Sequence, residues 1–245
     1  MEHHVYQQIY DVEKVHWWFC GRRKIIEQVL KSSIPTKVDL ALDIGSGTGL
    51  NSLIIKQFAH RVEGLEMSAE AIRLSALRAP ELKVENGSFP ETKLTKNYDL
   101  VTLFDVLEHI KDDEESLKQI KTALKPGGLV VLSVPAYPWL WSEHDKVLHH
   151  FRRYTKADLK NLVNKVGGYN IEYVSYFNTT LFFPILAFRW LRNLFHFNDH
   201  KTDDFLVPKT LNKFLEKIFL FDRVLLKRNI CPFGISLILV LRKNK

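Results

Sequence analysis

The chain has 245 residues, 46% of them hydrophobic and 26% charged, so it can bury a full core and is neither a stapled miniprotein nor a disordered or collagen-like polymer. Its net charge of +7 is unevenly spread: 18 Lys+Arg face 21 Asp+Glu up to His149, and 17 face 7 from His150 onward. Two cysteines, Cys20 and Cys231, are far apart without Cys-x-x-Cys spacing, which excludes a disulfide framework and a thiolate zinc site.

Residues 1–36 read as an N-terminal helical cap. The opening Met1-Glu2-His3-His4 lacks the basic and apolar regions of a secretory signal, so a cytoplasmic location is expected. From residue 37, short apolar runs alternate with helical periodicity, the mark of a doubly wound α/β fold whose sheet is mostly parallel. Strands are predicted at Leu40–Ile44, Val62–Glu66, Leu82–Glu85, Leu100–Phe104, Leu129–Val134 and Ile171–Phe177, and a seventh at Ile235–Leu241. Helices are predicted at Asn51–Phe58, Ala69–Leu77, Glu114–Leu124 and Lys156–Val166. Thr155 with Asp158 announces the last of these as a capping box, and the acidic Asp112–Glu115 run suits a helix start. Lys125-Pro126-Gly127-Gly128 reads as the turn from helix to strand. The core is thus expected over 37–177 plus 234–245, with 178–233 as a helical insertion that holds Asn198–Asp204 as a loop.

Leu42-Asp43-Ile44-Gly45-Ser46-Gly47-Thr48-Gly49 ends the first strand and opens a helix. Glycines let the backbone approach a ligand, and the helix start offers free N–H groups. A dinucleotide fingerprint would need glycine one place after Gly49, where Leu50 stands. Asp43 before the glycines suits a ligand with an amino group, such as S-adenosylmethionine. Glu66, 23 residues after Asp43, can accept hydrogen bonds from both hydroxyls of a ribose.

Together with Tyr98-Asp99-Leu100, Asp105-Val106-Leu107-Glu108-His109 and Lys125-Pro126-Gly127-Gly128, these motifs make the sequence similar to the class I S-adenosylmethionine-dependent methyltransferases. Trp17-Trp18-Phe19, Arg22-Arg23 and His149-His150-Phe151-Arg152-Arg153-Tyr154 resemble a bacterial small-molecule subgroup. The resemblance implies seven strands with the last antiparallel. It also implies a cofactor site built from Asp43, Gly45, Ser46, Gly47, Gly49, Glu66, Met67, Gly87, Ser88, Phe104, Asp105, Val106 and His109. Ser88 stands where many relatives carry an acid for the adenine amino group, and a hydroxyl accepts that bond without charge assistance. Phe89 stacks on the adenine or packs in the core. Arg22 pairs with the cofactor carboxylate under a lid of Trp17 or Trp18, or these residues form an ordinary amphipathic helix.

Methyl transfer from a sulfonium is an in-line displacement governed by alignment, and an oxygen acceptor also loses a proton to a base. The histidines available are His109, His144, His149 and His150; His150 is favoured as base, His144 next, with Asp145 as orienter. Tyr137, Trp141, Asp145, His149 and Arg152 are expected to hold the substrate. No metal is expected, because no His/Asp/Glu cluster has ligand spacing.

Eleven of the 16 Phe residues fall between Phe177 and Phe233 among Lys and Arg. Leu181–Phe197 and Leu211–Arg228 therefore read as basic amphipathic helices that meet an anionic membrane surface or cover the sheet. The longest apolar run, Leu181–Phe188, has eight residues against the ~20 of a spanning helix. The expected reaction is methylation of a small-molecule or lipid-linked acceptor, at oxygen. The alternatives are N- or C-methylation and a non-catalytic cofactor-binding regulator. Nucleic acid is not an expected partner.

Overall fold

A computed structural model describes residues 3–194 and 207–245; the Asn198–Asp204 loop lies outside them. The apolar runs form β1 (Val38–Ile44), β2 (Ala59–Glu66), β3 (Lys83–Asn86), β4 (Tyr98–Phe104), β5 (Leu124–Pro135), β6 (Tyr169–Phe177) and β7 (Ser236–Lys243). They make one sheet in the order β3-β2-β1-β4-β5-β7-β6. Only β7 runs antiparallel to its neighbours, β5 and β6. β1 and β4 are buried nearly end to end because helices cover both faces.

Ten helices connect and flank the strands among the described residues: α1 (His3–Val12), α2 (Trp17–Ser33), α3 (Leu50–Ile55), α4 (Ala69–Arg78), α5 (Asp113–Ala123), α6 (Glu143–Val147), α7 (Lys156–Val166), α8 (Phe182–Leu194), α9 (Lys209–Leu220) and α10 (Asp222–Lys227). The capping box of α7 forms, and the Asp112 carboxylate accepts from Glu115 N at the start of α5.

Two local expectations are corrected. β5 starts at Leu124, so Lys125-Pro126-Gly127-Gly128 is the first stretch of a strand and not a turn before one. Pairing with β4 captures it: Tyr98 sits opposite Leu124 and Leu100 opposite Leu129, and a bulge absorbs the surplus residues at Gly127, whose φ is +77°. α3 ends at Ile55 and not at Phe58, since Phe58 O already accepts from Val38 N at the head of the β1–β2 pairing.

The helices outside the alternating core are tied to one another. His16 caps α2 through Nδ1, and Asn212 of α9 accepts from Trp17 N at 2.8 Å while donating to Val15 O at 2.7 Å. Gln28 of α2 donates to Arg223 O of α10 at 2.8 Å. The Phe219 ring packs so closely on Gly21 that a Cβ there would lie 2.2 Å from it. α1 is fastened by Glu13, whose carboxylate binds both Thr48 and Arg78. No helix among the described residues is long and apolar enough to cross a membrane.

Candidate active site

A cavity of about 900 Å³ lies beyond the carboxyl ends of β1, β2 and β4, the ligand-binding edge of an open α/β sheet. Its floor is the turn after β1, where Gly45, Gly47 and Gly49 all take positive φ. A Cβ on Gly47 would meet nothing nearer than the Gly45 carbonyl at 4.0 Å, so it would project into open space. One wall is Glu66, only 5% exposed. Gly47 N donates to its Oε2 and Ser68 N to its Oε1, each at 2.9 Å. Two backbone donors thus fix the carboxylate, and its remaining lone pairs are available to hydroxyls. Tyr6 of α1 stands over it; burial and the Glu66 charge push its hydroxyl up to about 12.

Arg22 sits one helical turn after Trp18 on α2, so both side chains share the face that lines the cavity. Its Nη2 pairs with Asp105 Oδ2 at 2.7 Å. Its buried Nε has no partner among the described residues. Asp105 is held in the left-handed region, φ 58°, and its other oxygen accepts from Ser133 at 2.8 Å.

Across the cavity, a 3₁₀ turn, Leu107–His109, follows β4 and carries Glu108 and His109. The segment after α6 is clamped to it, since Phe151 N donates to Glu108 O at 2.8 Å, and His150 is thereby set against His109 with ring centroids 4.5 Å apart. His150 Nδ1 lies 2.9 Å from Asp145 Oδ1. Arg153 grips the same carboxylate with Nε at 2.7 Å and Nη2 at 2.9 Å. Burial alone would raise the Asp145 carboxyl, but His150 and Arg153 outweigh it and hold the group below the usual carboxylate range. Burial, reinforced by His150, lowers His109 to about 4. Burial and the Asp105 charge raise the Glu108 carboxyl well above its ordinary value.

The profile of the methyltransferase domain family matches residues 22–173. The chain belongs to this family. A probable S-adenosylmethionine-dependent methyltransferase of Mycolicibacterium smegmatis is 26% identical over 160 residues, covering 64% of this chain and 61% of that protein. A ubiquinone biosynthesis O-methyltransferase of Aeromonas salmonicida is 33% identical over 98 residues, covering 38% of this chain and 41% of that one. The matched regions thus span less than two-thirds of these relatives' lengths. The crystal structure of the N-methyltransferase NodS from Bradyrhizobium japonicum WM9, in complex with S-adenosyl-L-homocysteine, shares the fold: TM-score 0.57 at 11% identity, covering 93% of this chain and 88% of that one.

The residues of this methyltransferase domain fit S-adenosylmethionine. Gly47 leaves a cradle that any side chain would fill, and Glu66 presents a carboxylate fixed by two backbone donors, a group able to accept from ribose hydroxyls. The buried Ser46 hydroxyl and Arg22 Nε lack partners among the described residues, and the Arg22 donor suits a ligand carboxylate. Gly45, Met67, Gly87, Ser88, Phe89, Phe104, Asp105, Val106 and His109 also line the cavity. Ser88 hydrogen-bonds Glu91 at 2.8 Å, which brings an acidic group to the place where the chain lacks one in sequence.

Asp43 and Gly49 are not among the lining residues. Asp43 is buried behind the turn and accepts from Ser52 at 2.6 Å and Thr102 at 2.7 Å, so it braces the loop from inside. Gly49 is required by packing: a Cβ would lie 2.5 Å from the Ser75 hydroxyl of α4. Burial pushes the Asp43 carboxyl up to about 6, against the hydrogen bonds from Ser52 and Thr102. The folded protein then holds this proton more tightly than the unfolded chain. Stability from this group is therefore greatest at low pH and is lost as pH rises from ~4 through ~6, by about 3 kcal/mol in all. Wild type minus Asp43→Asn unfolding free energies, measured in urea at pH 4 and pH 7, should fall by that amount; a constant difference would show that Asp43 ionises freely.

The substrate residues expected from sequence are mostly drawn elsewhere. Tyr137 stacks on Tyr176, 5.0 Å between centroids, and Arg152 is taken by Asp113 and Lys111 O. Trp141 and His149 are exposed, and Asp145 is sealed beneath His150. None of these five lines the cavity. The side chain of His144 lies outside the described residues. In their place the cavity is lined by Leu148, Phe151 and Arg153, and by Leu181, Ile185, Phe188, Leu211 and Leu215 of the insertion. Sequence reasoning also missed Glu108 and Glu13 as site residues; Glu108 stood within the motif after the fourth strand, where its adjacency to His109 was the available signal.

Proposed function

We propose that this protein transfers a methyl group from S-adenosylmethionine to a hydroxyl on an apolar, lipid-linked acceptor. One observation carries the reading: a single cavity joins the Gly47–Glu66 wall to the Glu108–His109–His150 turn and continues between the apolar side chains of α8 and α9. When bound, S-adenosylmethionine supplies an electrophilic methyl, whose bond to sulfur breaks as the new bond to oxygen forms. The chain does the rest. Gly47 N and Ser68 N hold Glu66 for the ribose, Arg22 takes the carboxylate, and the histidine turn stands where the acceptor's proton is withdrawn. The relatives that are O-methyltransferases favour an oxygen acceptor over nitrogen. The direct test is incubation with methyl-labelled cofactor and fractionated extract. Label in an apolar product, stable to alkaline hydrolysis and released as methyl iodide by ether cleavage with hydriodic acid, is expected; label on an amine, or none at all, overturns the reading.

The surface of the insertion supports a lipid-borne acceptor. Phe182 is buried, but Phe183, Phe188, Trp190, Phe214 and Phe221 are exposed, and Phe214 shares α9 with Lys209, Lys213 and Lys217. Each basic residue near an anionic surface contributes about 1 kcal/mol, and salt screens that attraction. Sedimentation with anionic vesicles at low salt, lost at high salt and absent with neutral vesicles, is the expected result. Protein left in the supernatant with both would make the acceptor a soluble small molecule.

A further inference from the structure

We infer that Glu108, His109 and His150 form a binding site for one divalent transition-metal cation. Each of the three offers a ligand atom, and these atoms lie within 4.8 Å of one another. The nitrogen–oxygen set of two imidazoles and one carboxylate suits Zn²⁺, Mn²⁺, Fe²⁺ or Co²⁺ rather than Ca²⁺.

The surroundings of the three donors point the same way. Glu108 is fully buried, yet neither of its carboxylate oxygens has a hydrogen-bond partner among the described residues. A buried carboxylate left without donors is a costly arrangement unless a cation or a proton completes it. The His150 imidazole is oriented from behind, where Asp145 Oδ1 stands 2.9 Å from its Nδ1. Ligand histidines are held in this way, with an oxygen acceptor on one nitrogen and the metal on the other. Asp145 is itself locked by Arg153 and by Ser142 N, so this backing is rigid. Phe151 N on Glu108 O fixes the distance between the two segments that supply the donors.

All three donors line the same cavity as the glycine turn, so open coordination positions would face the bound acceptor. The use of the cation rests on the methyl-transfer reading above, whereas the site itself does not. An acceptor hydroxyl coordinated there becomes more acidic. Its O–H bond breaks with the proton passing to water, and the oxygen attacks as the methyl–sulfur bond breaks and the electron pair stays on sulfur. No oxidant or reductant is needed. His150 is then a ligand and not a free base.

The test uses untagged, chelator-treated protein and the metal alone. Titration with Co²⁺ should produce visible d–d absorption that saturates at one equivalent and is displaced by Zn²⁺. Glu108→Gln, which keeps the side chain's shape, and His150→Ala should each weaken binding at least 10²-fold, while His60→Ala on the exposed face of β2 leaves it unchanged. Circular dichroism and a melting curve verify that each variant is folded; if one is not, the other decides. Weak binding of several equivalents, insensitive to both substitutions, overturns the site. Methyl transfer by chelator-treated enzyme at the full rate of the metal-treated sample overturns the part assigned to the cation in the reaction. Tight binding of one cation by a protein that methylates nothing supports the site and overturns only the reaction assigned to it.

Discussion

Valine at position 47 should abolish binding of S-adenosylmethionine and of its demethylated product, with affinity reduced at least 10²-fold in calorimetry. Gly47 has φ +54°, where a branched side chain costs about 1–2 kcal/mol. The larger effect is occupancy, because a side chain there projects into the cavity and not into protein. The Gly47 amide also holds Glu66 Oε2 at 2.9 Å, so a shift in the loop would release the cavity-facing carboxylate as well. Glu66→Ala tests that part alone, with an expected loss of about 1.5–3 kcal/mol, the scale of hydrogen bonds to a charged group. A folded Gly47→Val protein that binds either ligand with unchanged affinity would remove the glycine turn from the cofactor site.

Phe219→Ala should be the most damaging single truncation in the insertion, costing about 3–5 kcal/mol of stability. Phe219 is fully buried. Its ring lies parallel to those of Trp18, at 5.7 Å and 6°, and Phe177, at 6.4 Å and 2°, and these two are 6.4 Å from each other. Trp17 meets it edge-on at 6.0 Å, and Gly21 has given up a side chain to admit it. Alanine would leave a cavity among rigid aromatic planes that cannot close over it. Phe214, one turn away on α9, is 59% exposed, and Phe214→Ala should stay within about 0.5 kcal/mol of wild type. Urea unfolding of both variants checks the contrast; a Phe219→Ala loss below about 1 kcal/mol would mean that α9 is only loosely seated on α2.

Much of the fold was legible because its signals are local. The apolar runs, the glycine turn, and Thr155 with Asp158 each declare themselves within a few residues, and all appear at or near the expected positions. The start of β5 was not legible, since Lys125-Pro126-Gly127-Gly128 carries turn chemistry and only pairing with β4 draws it into the sheet. At the site, Glu66 and Arg22 could be placed from their positions relative to strand and helix. The Glu108–His109–His150 group could not: 41 residues separate His109 from His150, and their contact depends on a backbone bond between Phe151 and Glu108. Asp43 misled for the opposite reason. Its place beside the glycines suggested a ligand contact, but Ser52 on the following helix and Thr102 on the neighbouring strand had already claimed both its oxygens.

The attachment of α1 ties one wall of the cavity to its floor. α1 contributes Val5, Tyr6 and Ile9 to the cavity, with Glu13 just beyond its end. Glu13 joins it to Arg78 of α4 and to Thr48 of the glycine turn, at side chains less than one-tenth exposed. Because Glu13 holds Thr48 and Arg78 at once, one buried carboxylate joins the wall that α1 gives the cavity to the glycine turn that forms its floor, and displacing the helix would release a side chain of that turn.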